Sequence, residues 1–249
     1  MNKPKVWVET GAVIINGASI DTAPHSHHAV HIIWPTESSH CYVAGREITT
    51  AVIIDSNVEH QLKMTQGWII LIEPNSDLGK QIIEQLEGQP FKEFSFSNSD
   101  QTWAQNQNQS LITLFAPLLN AIGIDNLPMY PNKGVAIDPR IQKLLTELDQ
   151  CLHGECLKPA NWRASQVASQ LALSESRFLH LFSEQLGIAW RPYLLWRRML
   201  CAVQALNNKV SATEAAHLAG FSDSAHLSRT FRKTFGITIR QAQALFPIN

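Results

Sequence analysis

Short apolar runs alternate with turn-forming residues through the first part of the chain. The runs recur at intervals of roughly ten residues, and they are Val6–Val8, Ala12–Ile15, Val30–Trp34, Cys41–Val43, Ile48–Ile54, Leu62–Met64 and Trp68–Ile72. Pro, Gly, Asn and Ser separate them. This spacing is typical of a β-sandwich or a small barrel.

Helical periodicity begins after Pro74. Asp77–Leu86 has apolar residues on one face, and Ser110–Ile124 is a second apolar segment that Pro117 would kink. Either apolar stripe could pack on its own sheet or form a helix–helix seam between two copies of the chain. These stripes are Leu78, Ile82, Ile83 and Leu86, and Leu111, Leu114, Leu118 and Ile122.

From Asp138 onward the pattern is helical throughout, beginning with Pro139–Leu152. Asp125–Gly134 contains two prolines and a glycine, which is typical of a linker. We therefore predict an α+β protein. Its domains are an all-β domain with trailing helices at 1–125, a linker at 126–137 and an all-α domain at 138–249.

Two segments of the helical half, 164–182 and 213–231, share one pattern. Each predicts a short helix, a tight turn and a second helix opened by a serine N-cap, Ser174 or Ser222. Gly220 accepts the positive φ of the second turn, and Ala172 stands at the matching position of the first.

Further signals support this repeat. Ser211 and Glu214 form a capping box, and the two second helices end alike in Gly187-Ile188 and Gly236-Ile237. Between the copies, Ala189–Leu206 predicts a helix of about 18 residues, roughly 27 Å long. Such a spacer suits two recognition helices about one turn of DNA apart, ~34 Å.

Charge is divided between the halves. The 249 residues carry a formal net charge of −1, which by itself argues against a nucleic-acid binder. Residues 1–159 contain 10 basic and 17 acidic side chains, however, whereas 160–249 contain 10 basic and 4 acidic ones. A basic excess confined to one half indicates where nucleic acid would bind.

Other features limit the class of protein. No apolar run approaches the ~20 residues that cross a bilayer, and the N-terminus lacks the apolar core of a secretory signal. We expect a cytoplasmic protein without a membrane partner. Its four cysteines, Cys41, Cys151, Cys156 and Cys201, are expected to be ordinary reduced thiols rather than a metal site.

The second repeat resembles a known family. Gly220-Phe-Ser-Asp-Ser-Ala-His-Leu-Ser-Arg-Thr-Phe-Arg-Lys-Thr-Phe-Gly236-Ile237 is similar to the signature of AraC/XylS-type transcriptional regulators, and 193–199 is similar to part of their linker helix. The resemblance covers about 140–246, with helix-turn-helix motifs at about 164–186 and 212–235. It departs at the end, where Ile239 and Ala242-Gln243 replace a Pro and a Tyr-Arg pair. The resemblance implies double-stranded DNA as the partner, with RNA polymerase and a second copy of the chain as further candidates.

Helix faces assign candidate DNA contacts. Leu227, Phe231, Phe178 and Phe182 should be buried. Outward residues for base contact are Ser176, Arg177, Leu179 and His180 in the first copy and Ser224, Ala225, His226 and Arg229 in the second. Arg229 is the best candidate for a bidentate contact with guanine. Phosphate candidates are Arg197, Arg232, Lys233 and Arg240. The alternative is a helical adaptor with solvated charges.

Histidines are concentrated in the β half, where six of ten lie between residues 25 and 60. In a strand, His25, His27 and His31 would share one face and His28 would point away. The spacing resembles the cupin metal motif, His-x-His-x3-Glu followed by a later His, with His31 in place of Glu and His60 as the later one. Asp55-Ser-Asn57 replaces the usual Pro-x-Gly. Regulators of the AraC/XylS type commonly carry a cupin-like sensor domain.

Three interpretations of His25, His27, His31 and His60 stay open: a Zn²⁺, Ni²⁺, Cu²⁺ or Fe²⁺ site, the polar lining of an organic effector pocket, or surface histidines. Asp55 and Glu59 are either pocket groups or parts of a turn. The function favoured is a transcription regulator that senses a small molecule or metal ion. The alternatives are a metal-dependent cupin enzyme fused to a DNA-binding domain, and a β half that only dimerises.

Overall fold

The computed structural model describes residues 5–9, 11–17, 19–35, 39–94, 118–124, 137–153 and 162–245. The chain divides into two compact units, one of residues 1–5 and 14–132 and the other of residues 6–13 and 133–249. The predicted linker 126–137 lies outside the described residues except at its last position. The domain boundaries therefore stay a prediction.

Antiparallel strands form two sheets. The strands are β1 (Lys5–Glu9), β2 (Ala12–Asn16), β3 (Ile20–Asp21), β4 (Val30–Pro35), β5 (His40–Val43), β6 (Arg46–Ile48), β7 (Ala51–Ile54), β8 (His60–Met64), β9 (Gly67–Ile72) and β10 (Phe91–Phe94). One sheet has the order β1-β2-β9-β4-β7-β10 and the other β3-β8-β5-β6. Strands β4, β7 and β9 are buried along their whole length, which explains their uninterrupted apolar runs.

The prediction of one strand over Ile48–Ile54 is wrong. Ile48 pairs with Cys41 in the four-stranded sheet, whereas Val52 pairs with Ile33 in the six-stranded sheet. Two exposed threonines at 49–50 carry the chain from one sheet to the other. Strands β3 and β10 were not predicted, because β3 has only two residues and β10 lies in a polar stretch.

The described residues of both apolar stripes are buried, except for Leu78 and Ile83, which are half-buried. Helix α1 (Asp77–Gln85) is capped by Ser76 and turns Ile82 and Leu86 inward. In the second segment residues 118–121 are helical, with Leu118 and Ile122 buried. Pro117, Leu111 and Leu114 lie outside the described residues. The burial of Ile82, Leu86, Leu118 and Ile122 favours packing within the fold over a helix–helix seam between two copies of the chain.

Apart from the strand residues at 6–13, the described part of the second unit is helical. Its helices are α2 (Pro139–His153), α3 (Ala164–Gln170), α4 (Glu175–Leu186), α5 (Trp190–Asn207), α6 (Ala212–Leu218), α7 (Ser224–Phe235) and α8 (Ile239–Leu245). With the two sheets before it, this confirms the predicted α+β class. Within the described ranges, no helix has the length and apolar character needed to span a membrane.

Two of the four cysteines can be placed. Cys41 and Cys201 are buried free thiols, in accord with the prediction, and burial raises the pKa of the Cys41 thiol to about 12. Cys156 and the side chain of Cys151 lie outside what the structure describes.

Candidate nucleic-acid interface and histidine pocket

Two helix pairs, α3–α4 and α6–α7, repeat the same construction. The second helix of each pair has 12 residues and ends at a glycine in the left-handed conformation, Gly187 or Gly236. The equal lengths and identical ends confirm the predicted repeat.

The turn inside each pair requires a positive φ. Gly220 adopts φ +74° in the second pair, and Ala172 adopts φ +53° at the matching place in the first. Because a Cβ disfavours this conformation by roughly 1–2 kcal/mol, the first turn carries strain that the second lacks. Ala215 and Ala216 are fully buried on α6, where small side chains let the helices approach closely.

Side-chain caps start α4, α6 and α7 but not α3, and one of the caps differs from the prediction. Ser174 accepts from the Arg177 N–H at 3.2 Å, and Ser211 accepts from the Glu214 N–H at 3.2 Å. Ser222, however, is not the cap of α7. Asp223 takes that role, because its carboxylate accepts the His226 N–H at 2.7 Å while the Ser222 hydroxyl donates to Asp223.

Helix α5 is the spacer between the pairs, and most of it is buried. At its start, Trp190 lies edge-on against Phe178 and Phe182 of α4, with ring centroids 5.3 and 5.1 Å away. Its indole N–H also donates to the Trp162 carbonyl at 3.3 Å. The first recognition helix is therefore packed directly onto the spacer.

Arg198, at the middle of the spacer helix, attaches it to the second pair. Its guanidinium donates to the carbonyls of Ala219 at 2.9 Å and Gly220 at 2.7 Å, and it lies 4.1 Å above the Phe221 ring. Partial burial lowers its pKa, yet an arginine stays charged. Sequence reasoning missed this residue, because nothing local distinguishes it from its neighbour Arg197.

The prediction that Arg197 contacts phosphate is wrong. Its side chain is 5% exposed and donates to Asp149 of α2 at 2.6 Å. A guanidinium enclosed in this way joins two helices and cannot reach a DNA backbone.

The remaining DNA candidates are largely exposed. Ser176, Arg177, His180, Ala225, Arg229, Arg232, Lys233 and Arg240 are exposed, whereas Leu179, Ser224 and His226 are half-buried. The predicted inward residues Phe178, Phe182, Leu227 and Phe231 are all buried. Arg191, at the start of α5, is a further exposed cation that was not predicted.

The four predicted pocket histidines come together between the two sheets. His31 lies in β4 of one sheet and His60 begins β8 of the other. His25 forms an isolated antiparallel bridge with His60 through backbone hydrogen bonds of 3.0 and 2.9 Å. Their exposed fractions, and that of His27, are between 2% and 8%, which excludes the surface interpretation.

Of the histidines at 25–31, only His31 lies in a regular strand, because β4 begins at Val30, so the strand predicted there is wrong in extent. The alternation is confirmed nonetheless. His25, His27 and His31 point into the cluster, while His28 lies apart with its Nδ1 3.4 Å from the Ser56 hydroxyl.

Hydrogen bonds fix the ring protons of two histidines. Nδ1 of His25 lies 2.9 Å from the Ala23 carbonyl, and Nδ1 of His60 lies 2.9 Å from the Val58 carbonyl. Since a carbonyl only accepts, both Nδ1 atoms carry a proton and both Nε2 atoms keep a lone pair. His27 differs, because its Nδ1 accepts the Ala29 N–H at 3.2 Å.

Burial keeps the cluster neutral. It lowers the pKa of His25, lowers that of His60 to about 4, and brings those of His27 and His31 well below their ordinary value. Asp55 accepts the Ser56 N–H and Glu59 is exposed. These carboxylates therefore form a turn rather than part of the pocket.

The fold and its exposed recognition helices agree with known proteins. Residues 167–244 match the family model of a helix-turn-helix domain. The virulence regulon transcriptional activator VirF of Yersinia enterocolitica is 33% identical over 107 residues, 43% of this chain and 36% of VirF. The HTH-type transcriptional regulator ExsA of Pseudomonas aeruginosa is 31% identical over 78 residues, 31% of this chain and 28% of ExsA.

These matches confirm the resemblance to AraC/XylS-type regulators within the second half of the chain, where residues 167–244 match a helix-turn-helix domain. The chain spans about a third of the length of the curated relatives that it matches first, 36% in the case of VirF.

Solved structures extend the likeness in fold to the whole chain. Apo ToxT from Vibrio cholerae has a TM-score of 0.58 at 11% identity, covering 96% of this chain and 99% of that one. ToxT with a bound unsaturated fatty acid has a TM-score of 0.54 at 10% identity, covering 96% and 97%. At this identity the likeness concerns the fold alone.

Proposed function

We propose that this protein is a sequence-specific DNA-binding transcription regulator whose first unit senses a small molecule or a metal ion. One observation carries the proposal: two equal helix pairs are held on one buried spacer helix, and each presents an exposed arginine in the first half of its second helix. These are Arg177 and Arg229. A helix of this kind places its N-terminal residues against base edges in the major groove.

We assign the contacts as follows. Arg229 forms a bidentate contact with guanine. Arg177 contacts base edges in the other half-site from a position nearer the start of its helix, because the position of α4 that matches Arg229 is His180. The groove-facing surfaces of α4 and α7 also contain Ser176, His180, Ser224, Ala225 and His226. Arg232, Lys233 and Arg240 neutralise phosphates and fix the register without reading sequence.

The histidine cluster is the proposed effector site. Its support is the enclosed set of polar rings between the two sheets, and the fatty acid in one ToxT structure is an effector-like ligand in a protein of similar fold. We extend the proposal to RNA polymerase and a second copy of this chain as partners, to action in the cytoplasm, and to the absence of a catalytic role. The transcriptional activator and the transcriptional regulator named among its relatives support a role in transcription rather than in catalysis.

The test selects duplexes from a random-sequence pool with the full chain and then measures affinity for the selected site. We expect a bipartite site with half-sites about one helical turn apart. Arg229→Ala should weaken this site by about 10- to 100-fold and affect non-specific duplex little, because a good bidentate contact contributes about 1–3 kcal/mol of discrimination.

Arg240→Ala is the matched control. We expect it to weaken specific and non-specific duplexes alike and to reduce the salt slope by about 0.9. Selection of no consensus, or equal losses on both duplexes in Arg229→Ala, would contradict the proposal.

A further inference from the structure

We infer that His25, His27 and His60, with His31 beside them, bind one divalent first-row transition metal ion. One ligand atom from each of the first three lies within 4.8 Å of the others. This inference deepens the proposed function. Metal binding itself does not depend on that function, whereas the role of the ion as effector rests on it.

Ring spacing fits an ion better than an organic molecule. A metal–nitrogen bond of about 2.0–2.1 Å places imidazole centroids roughly 4.5–5.5 Å apart around a four-coordinate ion. The observed separations are 4.3 Å for His25–His60, 5.3 Å for His27–His60 and 5.7 Å for His25–His27, so one lies inside this range and the other two just outside it. A carbon skeleton needs about 3.5–4.0 Å to each neighbour, so it could not lie between these rings.

The protons of two rings are already placed for metal binding. Ligating histidines usually donate the other ring N–H to a carbonyl or carboxylate, which fixes the tautomer and the direction of the lone pair. His25 and His60 have this arrangement through Ala23 and Val58. In the described part of the chain, Nε2 of His60 has no hydrogen-bond partner, and a buried polar atom left so is costly.

Two further rings complete the set. Binding through Nε2 of His27 moves its proton to Nδ1 and gives up the 3.2 Å contact from the Ala29 N–H, which is long for a hydrogen bond. Among the described residues neither ring nitrogen of His31 is hydrogen-bonded, and its ring lies 4.3 Å from that of His27 and 4.4 Å from that of His60. His31 can therefore supply a fourth nitrogen without losing a hydrogen bond.

The donor chemistry selects the class of metal. Neutral imidazoles suit Zn²⁺, Cu²⁺, Ni²⁺, Co²⁺ and Fe²⁺, whereas Mg²⁺, Ca²⁺ and Mn²⁺ prefer the oxygen ligands that this cluster lacks. Because His31 belongs to β4 and His60 to β8, the ion would also join the two sheets. A ligand that binds only the folded sandwich stabilises it, and this gives the metal a route to a regulatory effect.

The experiment uses the full chain without a histidine tag, stripped by chelator, incubated with Zn²⁺, Ni²⁺ or Co²⁺ and then freed of unbound metal. We expect about one retained ion per chain and a higher melting temperature with metal. His25→Gln and His60→Gln should retain none, whereas His40→Asn should match the wild type, since His40 is half-exposed and outside the cluster. Circular dichroism of the stripped proteins establishes that each variant is folded.

Failure of this inference is distinguishable from failure of the proposed function. A wild-type chain that retains no metal, or folded His25→Gln and His60→Gln variants that retain as much as the wild type, would overturn the metal site. Selection of a DNA consensus by the same stripped protein would then leave the proposed function intact. Metal retention without any DNA selectivity would instead support the site and contradict the regulator.

Discussion

Replacing Arg198 with alanine should loosen the second helix pair while the first keeps its packing. The substitution removes the two hydrogen bonds to the Ala219 and Gly220 carbonyls and the contact with the Phe221 ring. Hydrogen bonds from a charged donor contribute about 1.5–3 kcal/mol each, and a half-exposed cation–π contact adds about 0.5–1 kcal/mol. Because water can reach the two carbonyls once the guanidinium is removed, the lower end of each free-energy range applies.

The expected loss is therefore about 3.5 kcal/mol of local stability, or roughly a 300-fold rise in opening. Hydrogen exchange of the full chain measures this opening directly. The Phe221 amide, which donates to the Ala216 carbonyl at 2.8 Å, is the reporter. Arg198→Lys should give an intermediate rate, because it keeps the charge but has no planar fork to reach two carbonyls.

Arg191→Ala is the matched control, since it removes an exposed arginine from the same helix. Peptides from α4 serve as an internal reference and should exchange at the wild-type rate in every variant. A change of less than about threefold in Phe221 exchange for Arg198→Ala would refute the reasoning, because opening would then not depend on these contacts.

Three further predictions follow from individual residues. Ala172→Gly should stabilise the chain by about 0.5–1 kcal/mol in denaturant melts, and Gly220→Ala should destabilise it, because both positions have positive φ; the same sign for both changes would contradict this. Arg197→Ala should destabilise by about 3 kcal/mol yet leave the salt slope of DNA binding unchanged, since it orphans Asp149 and removes no phosphate contact. The hydrogen bond from the His226 N–H lowers the pKa of Asp223 below its ordinary value of 3.8. The ionised Asp223 carboxylate therefore stabilises the folded protein above that pH, and this stabilisation is lost as the pH falls through the lowered pKa. Melts of Asp223→Asn at a series of pH values should lack this pH-dependent stabilisation. A pH profile of stability equal to that of the wild type would contradict the prediction.

The helical half could be predicted well because its signals are local. Caps, glycines after helices and the repeat itself lie within a few residues of the elements they specify, and the predicted spacer, 189–206, is displaced by one residue from the observed Trp190–Asn207. Asp223 shows the limit of such signals. Ser222 and Asp223 are both good capping residues, and only the geometry shows which one reaches the His226 N–H.

Long-range partners could not be predicted in the same way. Arg197 and Arg198 are adjacent and chemically identical, yet one meets Asp149 on α2 and the other meets the turn after α6. The histidine pocket could be predicted in part. Spacing predicted which rings share a face, whereas the bridge that brings His25 to His60 depends on strand pairing 35 residues apart.

The packed spacer has a consequence for the duplex. Trp190 packs the start of α5 against α4, and Arg198 joins the middle of α5 to the turn that precedes α7. A close-packed interior transmits strain and yields little. Any mismatch between the fixed helix separation and the pitch of DNA must then be absorbed by bending or twisting of the base pairs between the half-sites. Those untouched base pairs should influence affinity through their deformability, with flexible pyrimidine–purine steps favoured there.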